Sequence, residues 1–222
     1  MERIYLDYNA TSIMDDKVSE LMINMLHKSA SYNPSSIHAD GRNARAIMEE
    51  ARQEIAKNLS IDYKKNDTHI IFTSSGTEAN NLALNNFKDH MLLIGATEHV
   101  SIMENDHVNK IIVEVDNNGL INLEYLKKSL QENSSPKLVS IMLANNETGV
   151  INNIKIISEL VHQEGAIIHC DASQAFGKIK VDFNELRCDL LTISSHKCGG
   201  PVGAAALIAN KSLGLKPIIK GI

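Results

Sequence analysis

Six short runs of apolar, often β-branched residues constrain the fold of this 222-residue chain more than any other feature. They fall at 69–72, 91–94, 111–115, 138–142, 166–169 and 190–193. None carries more than one polar residue, and a strand without polar alternation is buried on both faces. The segments between them carry helical spacing at 77–87, 123–131 and 154–164. The last is followed by Gly165, a residue suited to a left-handed helix end. Buried strands separated by helices predict an α/β fold, a mostly parallel sheet flanked by helices. The sheet is expected to end near Ile208.

Ahead of this block, 15–27 and 41–59 read as two helices. In the second, Ala44, Ala46, Ile47, Ala51, Ile55 and Leu59 are spaced to form one apolar stripe. Together they predict an N-terminal helical segment over 1–60 that covers a large domain over 61–222. The polar turn-forming stretch 32–38 between them either connects the helices or lines a site. Composition supports one substantial core, with 43% apolar and 22% charged residues. A net charge of -5, with no Lys/Arg-rich stretch, argues against a nucleic-acid partner. No apolar run resembles a signal peptide or approaches the roughly 18 residues of a membrane span, so a cytoplasmic address without a membrane partner is expected. Three cysteines, Cys170, Cys188 and Cys198, lack the spacing of a disulfide framework or a zinc site, and packing roles are expected for them.

Ligands of parallel α/β sheets bind beyond the carboxyl ends of the strands, so the residues after each run are the informative ones. After the first run comes TSSGTEAN at 73–80, whose small residues open a helix and offer N–H groups and hydroxyls to an anion. Ser75 or Thr77 could equally serve as a plain helix cap. His99 follows the second run, and the amides Asn145 and Asn146 follow the fourth, where they are turn formers or ligand contacts. After the fifth run comes Asp171, a carboxylate that needs a positive or hydrogen-bonding partner at the end of a buried strand. The last run leads into SSHKCGGP at 194–201, where Lys197 is either a solvated surface charge or a nucleophile. Pyridoxal phosphate matches this set group by group. It has a phosphate for the cup, a ring for the imidazole, a phenolic oxygen for an amide, a ring nitrogen for the carboxylate and an aldehyde for the lysine.

Seven motifs then occur in register: YLDYNAT at 5–11, NPSS at 33–36, TSSGTEANN at 73–81, TEH at 97–99, NNETG at 145–149, DASQ at 171–174 and SSHK at 194–197. By these the chain resembles the class V aminotransferase family, and within it the cysteine desulfurases, over essentially its whole length. The resemblance implies the large domain of pyridoxal phosphate enzymes of fold type I. It implies that Lys197 attaches the cofactor covalently, that Asp171 pairs with the ring nitrogen and that Gln174 bonds the phenolic oxygen. It also implies that His99 stacks on the ring and exchanges protons with the substrate, and that Gly76, Thr77, Ser194 and His196 bind the phosphate. Asn146 is then expected near the phenolic oxygen and the substrate carboxylate, with Ala10 and Asn33 on the substrate side.

The implied activity converts L-cysteine to L-alanine with sulfur transfer, which supplies iron–sulfur cluster or thio-modification pathways. Members of the family are longer, and a C-terminal domain carries the carboxylate-binding arginine and the cysteine that accepts sulfur. Here the chain reaches 216–222 about where that part would begin, and none of its cysteines matches the acceptor. Tyr32 stands where the family has glycine, and Cys198 and Gly199 stand where it has bulky residues. Three expectations follow: a desulfurase large domain working as a homodimer or with a complementary C-terminal fragment, another class V aminotransferase or lyase, or a non-catalytic dimerisation module.

Overall fold

The computed structural model describes residues 4–27, 32–132 and 135–220. Met1–Arg3 and Gly221–Ile222, the ends of the two terminal stretches read above, lie outside the described residues. Seven strands form one sheet in the order β1-β7-β6-β5-β4-β2-β3. These are β1 (Thr68–Thr73), β2 (Met91–Gly95), β3 (Lys110–Val113), β4 (Lys137–Met142), β5 (Ile167–Asp171), β6 (Leu190–Ser194) and β7 (Ala205–Asn210). Neighbours from β3 through β6 are parallel, whereas β7 runs antiparallel to both β1 and β6. Because β7 reverses direction between them, β1 and β6 point the same way. The carboxyl ends of β1, β2, β4, β5 and β6 therefore meet along one edge.

Six of the seven strands follow from the apolar runs. β7 does not, because its sequence AALIAN is rich in alanine, a residue depleted in strands. Tertiary packing overrides that preference. α3 (Gly76–Asn85) crosses β6 and β7, and Ala79 and Ala83 on the helix meet Leu207 and Ala209 in one buried cluster. The small side chains let the helix approach the sheet closely.

Alternate residues of each strand feed opposite faces. Leu92, Ile94, Leu138 and Leu190 pack under α3 and the short α4 (Val100–Met103). Leu93, Val139, Ile168 and Leu191 pack on the other face. There they join α5 (Leu123–Gln131), α6 (Ile154–Gln163), α7 (Phe183–Leu186) and the end of α2 (Ala39–Asn58). Each such buried side chain contributes about 2 kcal/mol, so the two faces hold the sheet firmly. Gly165 ends α6 with a φ of 68°, the left-handed conformation that its place in the sequence predicts. α4 and α7 span four residues each, too short to show helical periodicity.

The N-terminal helices depart from expectation. α1 (Asp16–His27) buries no residue fully, and only Val18, Ser19 and Met25 are partly buried. In α2 the stripe is also narrower than the spacing suggests. Ala46 and Ala51 are exposed, while Ala44, Ala56 and Leu59 are buried. Only the last turns reach the core, where Leu59 packs among Ile61, Ile70 and Phe183.

Candidate active site

An open cleft of about 950 Å³ lies along the carboxyl edge of the sheet. β1 delivers Gly76 and Thr77, β2 delivers His99, β4 delivers Asn146, β5 delivers Asp171 and Gln174, and β6 delivers Ser194, His196 and Lys197. All nine site residues expected from the sequence line this cleft, as does Ala10. Asn33 does not; its side chain accepts from the Ser35 N–H in a local turn.

At the first rim, Ser75 caps α3 by accepting from the Glu78 N–H at 3.1 Å. The cap and the cup are thus one structure, and the unpaired N–H groups of the first turn face the cleft. Gly76 sits where space rather than torsion is tight. A Cβ there would come within 3.2 Å of Ser173 Oγ and 3.5 Å of Ser194 Cβ.

Of the two amides after β4, Asn145 shapes the turn. Its Oδ1 accepts from the N–H groups of Glu147 and Thr148, and Gly149 closes the loop at a φ of 73°. Asn146 faces the cleft. Asp171 is 6% exposed and accepts from the Ser173 N–H at 2.9 Å and from Asn80 Nδ2 at 2.8 Å. Two donors thus supply the partners that a buried carboxylate needs.

Lys197 follows β6 in a single 3₁₀ turn and donates to the Asn9 carbonyl at 2.6 Å. Its pKa is lowered, first by burial and then by the charge of Lys178, with Asp171 and Asp7 opposing. A lowered amine pKa enlarges the nucleophilic fraction at neutral pH. Burial, aided by the Lys197 charge, also holds the His196 imidazole below its usual range. His99 is the N-cap of α4, with Nδ1 accepting from the Ser101 N–H at 3.1 Å. Its neighbour Glu98 is buried, accepts from the Met142 N–H at 2.7 Å, and is pushed well above the usual carboxyl range, chiefly by desolvation.

Four residues of the site escape sequence reasoning. Lys178 bonds Gln174 Oε1 at 2.6 Å and Asn9 Oδ1 at 3.2 Å. Its spacing of four from Gln174 on a helical turn is the only signal for it. Asn9 reaches across the cleft and donates to the Asn146 carbonyl. Asn80 lines the cleft beside Thr77, and Ser101 lies behind it. The cysteines divide: Cys170 and Cys188 are buried as expected, but Cys198 is exposed, contrary to a packing role. Its sulfur lies beside the Ser195 carbonyl in the turn after Lys197, a position that the core does not cover.

The profile of class V aminotransferases matches residues 4–218. The chain belongs to that family. It is 40% identical to the cysteine desulfurase IscS of Dictyoglomus turgidum over 230 residues, 98% of this chain and 57% of that protein. It is 36% identical to the cysteine desulfurase IscS of Rickettsia massiliae over 98% of this chain and 55% of that protein. The NifS-like protein from Rickettsia africae superposes with a TM-score of 0.96 at 41% identity, covering this whole chain and 62% of that one. A structure of SspA in complex with cysteine superposes at 0.86 with 26% identity, over 99% of this chain and 65% of that one. The chain therefore spans about three fifths of the length of the relatives it matches. The sheet and its helices are those of fold type I, and the family uses pyridoxal phosphate. No helix among the described residues is long and apolar enough to cross a membrane.

Proposed function

We propose that residues 61–222 form the cofactor-binding part of a cysteine desulfurase, which acts on L-cysteine and yields L-alanine and transferable sulfur. The observation that carries this reading is the convergence of Lys197, Asp171 and the α3 cup at one sheet edge, in a chain 36 to 41% identical to desulfurases and a NifS-like protein. The residues fit pyridoxal phosphate. Ser194 Oγ is buried beside Gly76 without a hydrogen-bond partner, and a phosphate oxygen would supply one.

When bound, pyridoxal phosphate supplies an aldehyde for an amine and a ring that withdraws electrons from the carbon next to it. The protein supplies the rest. Gly76, Thr77, Ser194 and His196 hold the phosphate, Asp171 keeps a proton on the ring nitrogen, and Gln174 and Asn146 orient the phenolic edge. His99 covers the ring face, and Lys197 supplies the amine. Lys178 fixes the Gln174 amide with Oε1 toward itself, which leaves Nε2 as the donor.

The sulfur acceptor is a different matter. Burial raises the thiol of Cys170 well above its usual range, partial desolvation of its sulfur raises that of Cys198 although the residue as a whole is exposed, and Cys188 is buried beside Cys170. A sulfur-accepting thiolate needs the opposite environment. In this reading the acceptor thiol and the carboxylate clamp belong to the two fifths of the relatives' length that these residues do not match. Partners follow: a second copy of the chain, a complementary C-terminal fragment, or both. Exposed Leu6, Ile13, Leu21, Ile23 and Leu26 support an apolar packing face for them. A cytoplasmic role in iron–sulfur cluster assembly completes the reading.

The deciding experiment is incubation with pyridoxal phosphate, borohydride reduction and peptide mapping. Label on Lys197 is expected, and label on another lysine or on none would sink the reading. Sulfide release from cysteine should be weak with the chain alone and should rise when the C-terminal half of a related desulfurase is added. Robust release by the chain alone would contradict the assignment of the missing thiol.

A further inference from the structure

A hydrogen-bonded chain runs along the wall of the cleft from Asp171 to His99 through two residues, Asn80 and Ser101, that the reading above leaves without a role. Asn80, on the second turn of α3, donates through Nδ2 to Asp171 Oδ2 at 2.8 Å and to Ser101 Oγ at 2.9 Å. Ser101, in α4, meets His99 Nδ1 twice, with its hydroxyl at 2.8 Å and its main-chain N–H at 3.1 Å. Both linking residues are buried, Asn80 at 1% exposure and Ser101 at 9%.

The proton positions follow from donor and acceptor chemistry. A carboxylate only accepts, so the Asn80 amide must turn its NH2 toward Asp171. Both of its N–H bonds are then used, and Asn80 Oδ1 is left buried without a hydrogen-bond partner. The Ser101 main-chain N–H can only donate, so His99 Nδ1 is an acceptor, and the Ser101 hydroxyl, whose oxygen accepts from Asn80, turns its hydrogen to that nitrogen. Two donors aimed at Nδ1 leave no room for a proton there, and a neutral imidazole then carries its hydrogen on Nε2.

We propose that Asn80 and Ser101 are positioning residues that join Asp171 and His99 into one unit and hold His99 in the Nε2–H form. His99 then offers the cleft a hydrogen-bond donor rather than a base. The orientation starts at the Asp171 carboxylate, which orders the Asn80 amide, which orders the Ser101 hydroxyl, which orders the ring. The inference rests on reading Asp171 and His99 as the two contacts to the cofactor ring, since only then does their coupling bear on the reaction.

The test needs no cofactor. In the histidine-labelled chain, heteronuclear NMR should show a pyridine-type Nδ1 and a pyrrole-type Nε2 for His99, assigned by loss of the signal in His99→Gln. Asp171→Asn should shift the His99 Nδ1 signal, because one of the two N–H groups aimed at the Asp171 oxygens would then meet an amide NH2. In a Ser101→Ala background the same replacement should leave His99 unmoved, and Ser101→Thr should restore the response. Asn80→Leu, which removes no hydrogen bond made directly by His99, should also shift Nδ1. A protonated Nδ1, or an Asp171→Asn response that survives Ser101→Ala, would overturn the proposal. Failure of borohydride labelling at Lys197 would count against the cofactor reading alone and would leave the NMR result standing.

Discussion

His169 lies two residues before Asp171 on the same face of β5, fully buried, with Ser140 Oγ 2.8 Å from Nδ1 and Thr192 Oγ1 3.0 Å from Nε2. Desolvation lowers its pKa from 6.5 to about 4, against the opposing pull of Asp171. A histidine that stays neutral in the fold but gains a proton in the unfolded chain makes stability depend on pH. Between pH 6.5 and about 4 the unfolded state binds the extra proton, so stability rises with pH and is lost as pH falls. At about 1.4 kcal/mol per pH unit, the whole interval corresponds to about 3 kcal/mol. Glu98 acts with the opposite sign. Its raised pKa makes the folded state hold the proton longer, so its contribution is lost as pH rises above 4.5. The two slopes overlap, and only a difference measurement separates them. Urea unfolding of the chain and of His169→Gln across pH 7 to 4 should therefore give curves that converge by about 3 kcal/mol, because the variant lacks the titrating group. Adding Asp171→Asn to the otherwise unaltered chain removes the one charge that favours the cation and should move the window to lower pH. Parallel curves for the chain and His169→Gln would refute the reasoning.

Four further outcomes follow from the site. Lys197→Ala should abolish borohydride trapping yet change stability by no more than about 0.5 kcal/mol, since the lysine lies at a strand end rather than in the core; a large loss on urea unfolding would mean a structural role. Lys178→Met removes the charge that helps depress the Lys197 amine, so the pH profile of trapping should move upward, and an unmoved profile would leave burial as the whole cause. Gly76→Ala places a methyl 3.2 Å from Ser173 Oγ and should weaken pyridoxal phosphate binding about tenfold, or ~1.4 kcal/mol, by fluorescence titration. Glu98→Gln keeps an acceptor for the Met142 N–H and should cost less than about 1 kcal/mol, whereas Glu98→Ala should cost about 2, and equal losses would show that the bond is idle.

The legible part of the fold is the part held by hydrophobic patterning. Runs such as 138–142 and 190–193 carry only one small polar residue each, Ser140 and Thr192, because both faces of β4 and β6 are covered, and the burial pattern there is unbroken. β7 escaped because its alanines carry a weak strand signal and are chosen to fit beneath Ala79 and Ala83. The α2 stripe misled for a related reason. Helical spacing shows which residues could share a face, but not how much of that face meets a neighbour, and Ala46 and Ala51 meet none.

The site was legible where chemistry requires one residue type at a strand end, as for Asp171, Lys197 and the small residues of the α3 cup. It was not legible for the residues that link these groups. Asn80 is a helix-interior amide, indistinguishable in sequence from Asn81, which donates to the Thr77 carbonyl within its own helix. What separates the two is a helical turn of about 100° per residue, which aims Asn80 inward at Asp171. Ser101 has no signal of its own, since any residue two positions beyond an N-cap offers the same main-chain N–H. Only the packing of α3 on β6 and β7, set by small residues, brings the amide to 2.9 Å from the hydroxyl and leaves the hydroxyl 2.8 Å from the imidazole. A polar network of this kind is specified by the apolar contacts that fix its backbone, so the residues that decide it are the ones that carry no chemistry.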